Sequence, residues 1–234
     1  LLPDVLVDDR PDDRDVSVGA LFIGPPGLGE FVCTGTLVAR DLVLTAAHCV
    51  PEGGMLCFVL ATYPEEAPAK EWRLVASAVV PTTYRSPSDG NCGPDGRHCR
   101  ADIAILRLAE SVPSIAPAPV QLRAGPNLRS GTPVRMVGFR RAPPLAPSPG
   151  RLFRYTGRTW ADRVLHDRFV FRASADRAHF CRGESGGPDF VRFRGGERIV
   201  AIHTASTTYA LQNGCAEGRG AHAVSTRIDH YRSF

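Results

Sequence analysis

Gly183-Glu184-Ser185-Gly186-Gly187-Pro188 decides how this chain is read, together with two distant runs, Thr45-Ala46-Ala47-His48-Cys49 and Asp102-Ile103-Ala104-Ile105-Leu106. The three supply a hydroxyl nucleophile, a base and a carboxylate, in the order His, Asp, Ser. Serine is a weak nucleophile at its own pKa. An imidazole must take its proton, and a carboxylate must fix the imidazole's tautomer. Alone, each residue has a bland reading: a His beside a Cys serves structure, an Asp before an apolar strand caps it, and a Gly-Ser-Gly-Gly run turns the chain. Together and in order they can supply an activated serine nucleophile. The order also argues against an esterase of another fold, whose residues run Ser, Asp, His around a Gly-X-Ser-X-Gly elbow.

The frame around these runs is large enough for the task. The chain has 234 residues, 43% of them hydrophobic, enough for one large domain or two packed halves. Gly (23) and Pro (20) are plentiful, which favours many turns over long helices. A net charge of +4 is too mild to argue for a nucleic-acid partner. Lys70 is the only lysine, so the positive charge is nearly all arginine, a trait of GC-rich genomes rather than of a function. No stretch reaches the apolar length of a membrane span, and no signal peptide is visible, as in a mature or trimmed form. Seven cysteines suggest an oxidising compartment, with a cytosolic thiol protein as the other option.

Short apolar or alternating segments recur along the chain, separated by turn residues. They include Val16–Ile23, Phe31–Val38, Leu56–Ala61, Trp72–Val80, Ile103–Leu108, Val134–Phe139, Arg168–Phe171 and Arg198–His203. That rhythm belongs to an all-β sandwich or a pair of barrels. Ala161–Asp167 and Thr226–Phe234 are the best short-helix candidates. Ser111–Gln121, rich in Pro and Ala, reads as an extended connection between halves, and Ala142–Gly150 as a Pro-rich loop. Leu1–Asp15, crowded with Asp and Arg, reads as an exposed arm.

Taken together, the motifs around His48, Asp102 and Ser185 resemble those of the trypsin/chymotrypsin-like serine peptidases, over most of the chain from about Val16 to Ile228. The resemblance implies an all-β fold of two packed six-stranded Greek-key β-barrels with a short C-terminal helix. The expected layout is an arm at 1–15, a first barrel at 16–110, a connection at 111–122, a second barrel at 123–225 and the start of the helix at 226–234. The site would lie in the cleft between barrels. His48 would be the general base, Asp102 its orienting partner and Ser185 the nucleophile, with the Gly183 and Ser185 N–H groups as oxyanion hole. The resemblance also implies bridges between Cys33 and Cys49, which clamps the histidine loop, and between Cys181 and Cys215, beside the specificity pocket. Cys92 and Cys99 are expected to close a local loop before Asp102. Cys57 is left over as a buried free thiol. No metal is implied, since no CxxC pair or His-rich cluster appears, and no cofactor.

His179 falls at the base of the family's primary pocket, where trypsin-like enzymes carry Asp, so Arg/Lys specificity is disfavoured. The pocket strand reads Ile202-His203-Thr204-Ala205-Ser206. Its Ile-His step resembles bacterial glutamyl endopeptidases, in which that His holds an acidic side chain; a pocket imidazole can gain charge as it does so. Leu1-Leu2-Pro3 resembles the mature N-terminus of some of the same enzymes, whose terminal amine helps bind the substrate carboxylate. Against this, Phe180 is bulky, Ala223 stands where many relatives have Gly, and His203 could instead bond Asp102. An acidic residue and a small or apolar one before the scissile bond therefore both stay open.

Glu184 is the odd letter, because relatives have Asp there to receive a new amino terminus after cleavage. No Ile-Val-Gly-Gly start appears before Cys33; the region reads Val5-Leu6-Val7-Asp8-Asp9. Glu184 has three readings: it pairs with the Leu1 amine after processing, it takes another partner such as an arginine, or the oxyanion hole is malformed. A buried carboxylate needs some partner. The resulting expectation is a secreted or periplasmic, monomeric serine endopeptidase acting on protein or peptide, with no nucleic-acid partner and no membrane span. The rival is a latent or inactive homologue acting as a binding or regulatory module.

Overall fold

The computed structural model describes residues 11–85, 101–123, 125, 128–142, 146, 148–172, 181–206 and 222–233, with backbone only at 205 and 206. Thirteen strands carry the described residues, and the only helices among them are three single 3-10 turns. β1 (Val18–Ile23), β2 (Glu30–Ala39), β3 (Leu42–Thr45), β4 (Leu56–Val59), β5 (Trp72–Val79) and β6 (Ala104–Leu108) form a closed antiparallel barrel in the order β1-β2-β3-β6-β5-β4. Closure comes from β1 pairing with both β2 and β4, so no strand of this barrel is left with an open edge. Inward residues Leu21, Leu37, Val43, Phe58 and Leu106 are fully buried. They are branched or aromatic side chains that suit a pleated, enclosed surface.

The second half comprises β7 (Pro133–Arg141), β8 (Leu152–Trp160), β9 (Arg163–Val164), β10 (Arg168–Arg172), β11 (Pro188–Phe193), β12 (Gly196–Ser206) and β13 (His222–Arg227). Among the described residues they pair as a seven-stranded sheet, β8-β7-β11-β12-β13-β10-β9, where six strands were expected. The extra strand is β9. It replaces the helix expected over Ala161–Asp167, because Val164 and Arg163 pair with Phe169 and Val170 in a hairpin. The C-terminal helix is also not found where it was expected to start. Thr226 and Arg227 belong to β13, where Thr226 pairs with Arg168 and Ile202, and 228–233 form turns. Both segments find ladder partners, and those override weak local helical pattern.

The first core runs on into the junction, since Val137, Phe139, Leu152, Phe190, Ile199 and Ile202 pack in one cluster with the first barrel's residues. A second cluster around Met136, Phe169, Phe171 and Val200 fills the other face of the second sheet. The 111–122 segment runs between the halves. The Ala118 N–H bonds the Leu37 carbonyl of β2, and the Ile199 N–H of β12 bonds the Pro119 carbonyl. The end of the expected exposed arm is instead tied down. Asp12 is buried, its N–H bonding the Arg154 carbonyl, while the buried Arg154 guanidinium donates to the carbonyls of Asp12 (2.9 Å) and Val18 (3.0 Å) and to Thr62 Oγ1 (3.2 Å). A buried guanidinium needs several acceptors, and the arm supplies one.

Candidate active site

His48 sits in a one-turn 3-10 segment, Ala47–Cys49, that leaves β3 after Thr45. Asp102 lies two residues before β6, which pairs with β3, so the ladder carries both side chains to one end of the barrel. The His48 backbone N–H donates to Asp102 Oδ1 at 3.0 Å, and Nδ1 lies 2.8 Å from Oδ2. A carboxylate that accepts from both groups fixes the ring's rotamer and puts the proton on Nδ1, leaving Nε2 as acceptor. Asp102 is buried, while the His48 side chain keeps 24% of its surface exposed. Burial opposes charge on the ring, but the charge and hydrogen bond of Asp102 outweigh it and hold His48 above its ordinary pKa.

Ala101 holds Asp102 in place at some conformational cost. It is the one non-glycine among the described residues with positive φ, at 54°. Its N–H donates to Tyr231 Oη at 3.0 Å, tying the C-terminal turns to the residue before the carboxylate. On the other side of His48, Cys49 is bridged to Cys33 of β2. Closing a loop of this length typically adds about 3 kcal/mol. Cys33, His48 and Cys49 gather three donor atoms, but the two sulfurs are spent on the bridge and cannot act as thiolates toward a metal.

Ser185 arrives from the second half, in the turn between Cys181 and β11. The Thr34 N–H of β2 donates to its carbonyl at 2.8 Å, and Cys49 Sγ lies 3.7 Å from the same oxygen. Thr34 Oγ1 donates to the Gly183 carbonyl and accepts the Phe139 N–H, both at 2.9 Å. Thus β2 grips the serine loop on both sides, against the loop that bears His48. Two glycines make the close approach possible. Gly183 (φ 99°) packs on Phe31, and Gly186 (φ 81°) on Thr45 and the Thr34 carbonyl, and a Cβ at either would collide with these atoms. Among the described residues, the N–H groups of Gly183 and Ser185 donate to no protein acceptor.

Glu184 points into the protein and is buried, lying over Gly138, which has no Cβ to obstruct the extra methylene. Oε2 accepts the Cys181 N–H at 3.0 Å, while Oε1 has no hydrogen bond among the described residues. Burial pushes its carboxyl above the ordinary range, against the pull of Arg140 and His203. Arg140 is itself buried, stacked 3.5 Å from the Tyr155 ring centroid.

His203, expected in the specificity pocket, turns its ring inward. It is 1% exposed, its Nε2 lies 2.8 Å from Asp189 Oδ1 and its Nδ1 3.1 Å from the Glu184 carbonyl oxygen. Both nitrogens are therefore engaged inside the protein, neither of them on Asp102. A bulge between His203 and Ala205 in the β12–β13 pairing accompanies this inward setting. Ala223 is buried in β13, opposite Phe171, and Ala205 contributes its backbone to β12. Cys181 is disulfide-bonded, and Cys57 is a buried free thiol as expected. His179, Phe180, Cys92, Cys99 and Cys215 lie outside the described residues. Residue-by-residue reading missed Thr34, Ala101, Asp189 and Tyr231. None carries a local signal, because each acts through a partner distant in sequence.

A model of the family described as Trypsin matches residues 18–234. Chymotrypsin-like elastase family member 1 of Macaca fascicularis is 25% identical over 217 residues, covering 86% of this chain and 76% of that protein. The protein of the same name from Bos taurus is 26% identical over 217 residues, with the same coverage.

Proposed function

The chain belongs to the trypsin family of serine endopeptidases, and on that premise we propose that His48, Asp102 and Ser185 carry its chemistry as a triad. Ser185 Oγ attacks the scissile carbonyl carbon, and His48 Nε2 takes the hydroxyl proton. Asp102 accepts the Nδ1 hydrogen bond and stabilises the imidazolium that forms. The tetrahedral oxyanion is received by the Gly183 and Ser185 N–H groups, each contributing on the order of 3–4 kcal/mol. His48 then returns the proton to the leaving amine, and water releases the acyl group by the same steps in reverse. The observation that carries this reading is the two-point hold of Asp102 on His48, at 3.0 and 2.8 Å, beside a serine loop locked to the same barrel.

For the residue before the scissile bond, a small or apolar side chain is the better choice. The His203 imidazole is not free to hold an acidic side chain, since both its nitrogens are already engaged. The buried methyl of Ala223 supports a narrow pocket. For Glu184, the field of Arg140 supports an internal arginine as the balancing charge in place of a terminal amine. The Cys33–Cys49 bridge supports secretion or another oxidising compartment. No helix among the described residues is long and apolar enough to cross a membrane.

Labelling with a fluorophosphonate tests the catalytic reading. The wild type should label and Ser185→Ala should not; an unlabelled but folded wild type would leave the latent-homologue reading standing. A peptide library tests the pocket: an advantage for Glu or Asp before the cleaved bond would contradict the small or apolar assignment.

A further inference from the structure

Two imidazole–carboxylate pairs flank Ser185. His48 and Asp102 form one. The other, His203 of β12 and Asp189 of β11, is buried outright, at 1% and 0% exposure. Its Nδ1 faces the Glu184 carbonyl oxygen at 3.1 Å. A carbonyl oxygen only accepts, so Nδ1 carries a proton. This holds whether Nε2 donates to an ionised Asp189 or accepts from a protonated one. Burial opposes a charged ring, but Asp189 and Glu184 together outweigh it and raise the His203 pKa, which favours the first arrangement. The backbone of His203 holds the same turn: its N–H donates to the Gly187 carbonyl at 2.9 Å, and its carbonyl accepts the Gly186 N–H at 2.8 Å.

The Glu184 carbonyl and the Ser185 N–H are the two ends of one planar peptide unit. The carbonyl end receives two hydrogen bonds, from His203 Nδ1 and from the Gly187 N–H at 2.9 Å. Bonds on that oxygen fix the plane, and so the direction of the N–H at the opposite end. They also polarise the amide, which makes its N–H a stronger donor. We infer that His203, held by Asp189, is a positioning residue that aims and polarises the peptide unit whose N–H is the Ser185 oxyanion donor. The inference rests on the proposed function, because it assigns His203 a part in that same oxyanion hole. Among the described residues, the charged groups around the ring include Asp189, the Glu184 carboxylate and, beyond it, Arg140.

The test compares His203→Leu, His203→Asn and His203→Gln, with rates expressed per active site titrated by fluorophosphonate. Asn places its amide nitrogen near the position of Nδ1, and Gln near that of Nε2. His203→Leu should lower kcat about tenfold or more with KM little changed, a smaller loss than the roughly 10²–10³ for deleting an oxyanion donor outright. His203→Asn should recover much of that loss and His203→Gln should not. The Ki of a peptidyl trifluoromethyl ketone, which mimics the oxyanion, should rise in step with the fall in kcat/KM. If His203→Leu does not fold, the Asn and Gln variants still decide. Equal rates for those two, or a loss confined to the number of titratable sites, would overturn the inference. An unlabelled wild type would instead overturn the proposed function.

Discussion

The amide of Thr34, on the first barrel, donates a 2.8 Å hydrogen bond to the carbonyl oxygen of Ser185, on the second half. The same residue's hydroxyl bridges the Gly183 carbonyl and the Phe139 N–H, both at 2.9 Å. One threonine thereby sets the serine loop relative to the barrel that bears His48 and Asp102. It ties together two halves whose strands pair in separate sheets.

Thr34→Val keeps the shape but removes the hydroxyl. It leaves a buried carbonyl and a buried N–H without this partner, at a cost of about 1–3 kcal/mol. We expect a lower denaturation midpoint together with a fall in kcat, measured by urea titration and by turnover of an ester substrate. An unchanged kcat would show that the loop does not rely on Thr34 for its setting.

In the proposed mechanism His48 must be neutral to take a proton, and Asp102 holds its pKa above the ordinary value. Activity should therefore fall on acidification with a midpoint above about pH 6.5, the usual His value. The raised value also means that the protonated pair adds stability in full below about pH 6.5 and loses it as pH rises through the folded pKa. Asp102→Asn should move the activity midpoint down and cut kcat by roughly 10³–10⁴ through loss of the correct tautomer. A pH–rate profile of both proteins checks this.

Burial raises the pKa of Glu184. Its contribution is thus fully present below about pH 4.3, the unfolded value, and is lost as pH rises through the higher folded value. Relative to Glu184→Gln, the wild type should lose stability across the window that opens at about pH 4.3 and closes at the higher folded pKa. Thermal melts across that window should show the Tm gap shifting in favour of the Gln variant as pH rises. A gap independent of pH would mean that the carboxyl ionises as freely folded as unfolded.

Ala101 takes a left-handed conformation next to Asp102. That region costs Ala about 1–2 kcal/mol and glycine nothing, and Ala101 is buried, with glycine adding no atoms there. Ala101→Gly should therefore leave stability nearly unchanged, within about 0.5 kcal/mol, where Ala→Gly usually costs about 0.5–1 kcal/mol, as read from the midpoint in urea. A destabilised variant would place the cost elsewhere, such as in the bond from the Ala101 N–H to Tyr231.

Much of the first barrel was legible because its strands alternate or run apolar, as in Phe31–Val38 against β2 and Trp72–Val80 against β5. β8 was not, because its first four side chains, Leu152–Tyr155, are all buried, Arg154 among them, and alternation is confined to its second half. Ala161–Asp167 and the start of Thr226–Phe234 suggested helix because their partners, β10 and β12, are not visible in a local window. The site divides the same way. His48, Asp102 and Ser185 announce themselves through motifs. The inward turn of His203 depends on Asp189 and the Glu184 carbonyl, whose positions only the folded chain sets.

In the proposed mechanism Ser185 forms an acyl-enzyme with His48 as its base. Mixing the protein with a slowly deacylating ester and measuring intact mass, then the mass of the peptide containing Ser185, tests it directly. The account predicts one acyl group per molecule on Ser185, formed far more slowly in His48→Ala and not at all in Ser185→Ala. Acylation of a different residue, or none in a folded wild-type sample, would contradict it.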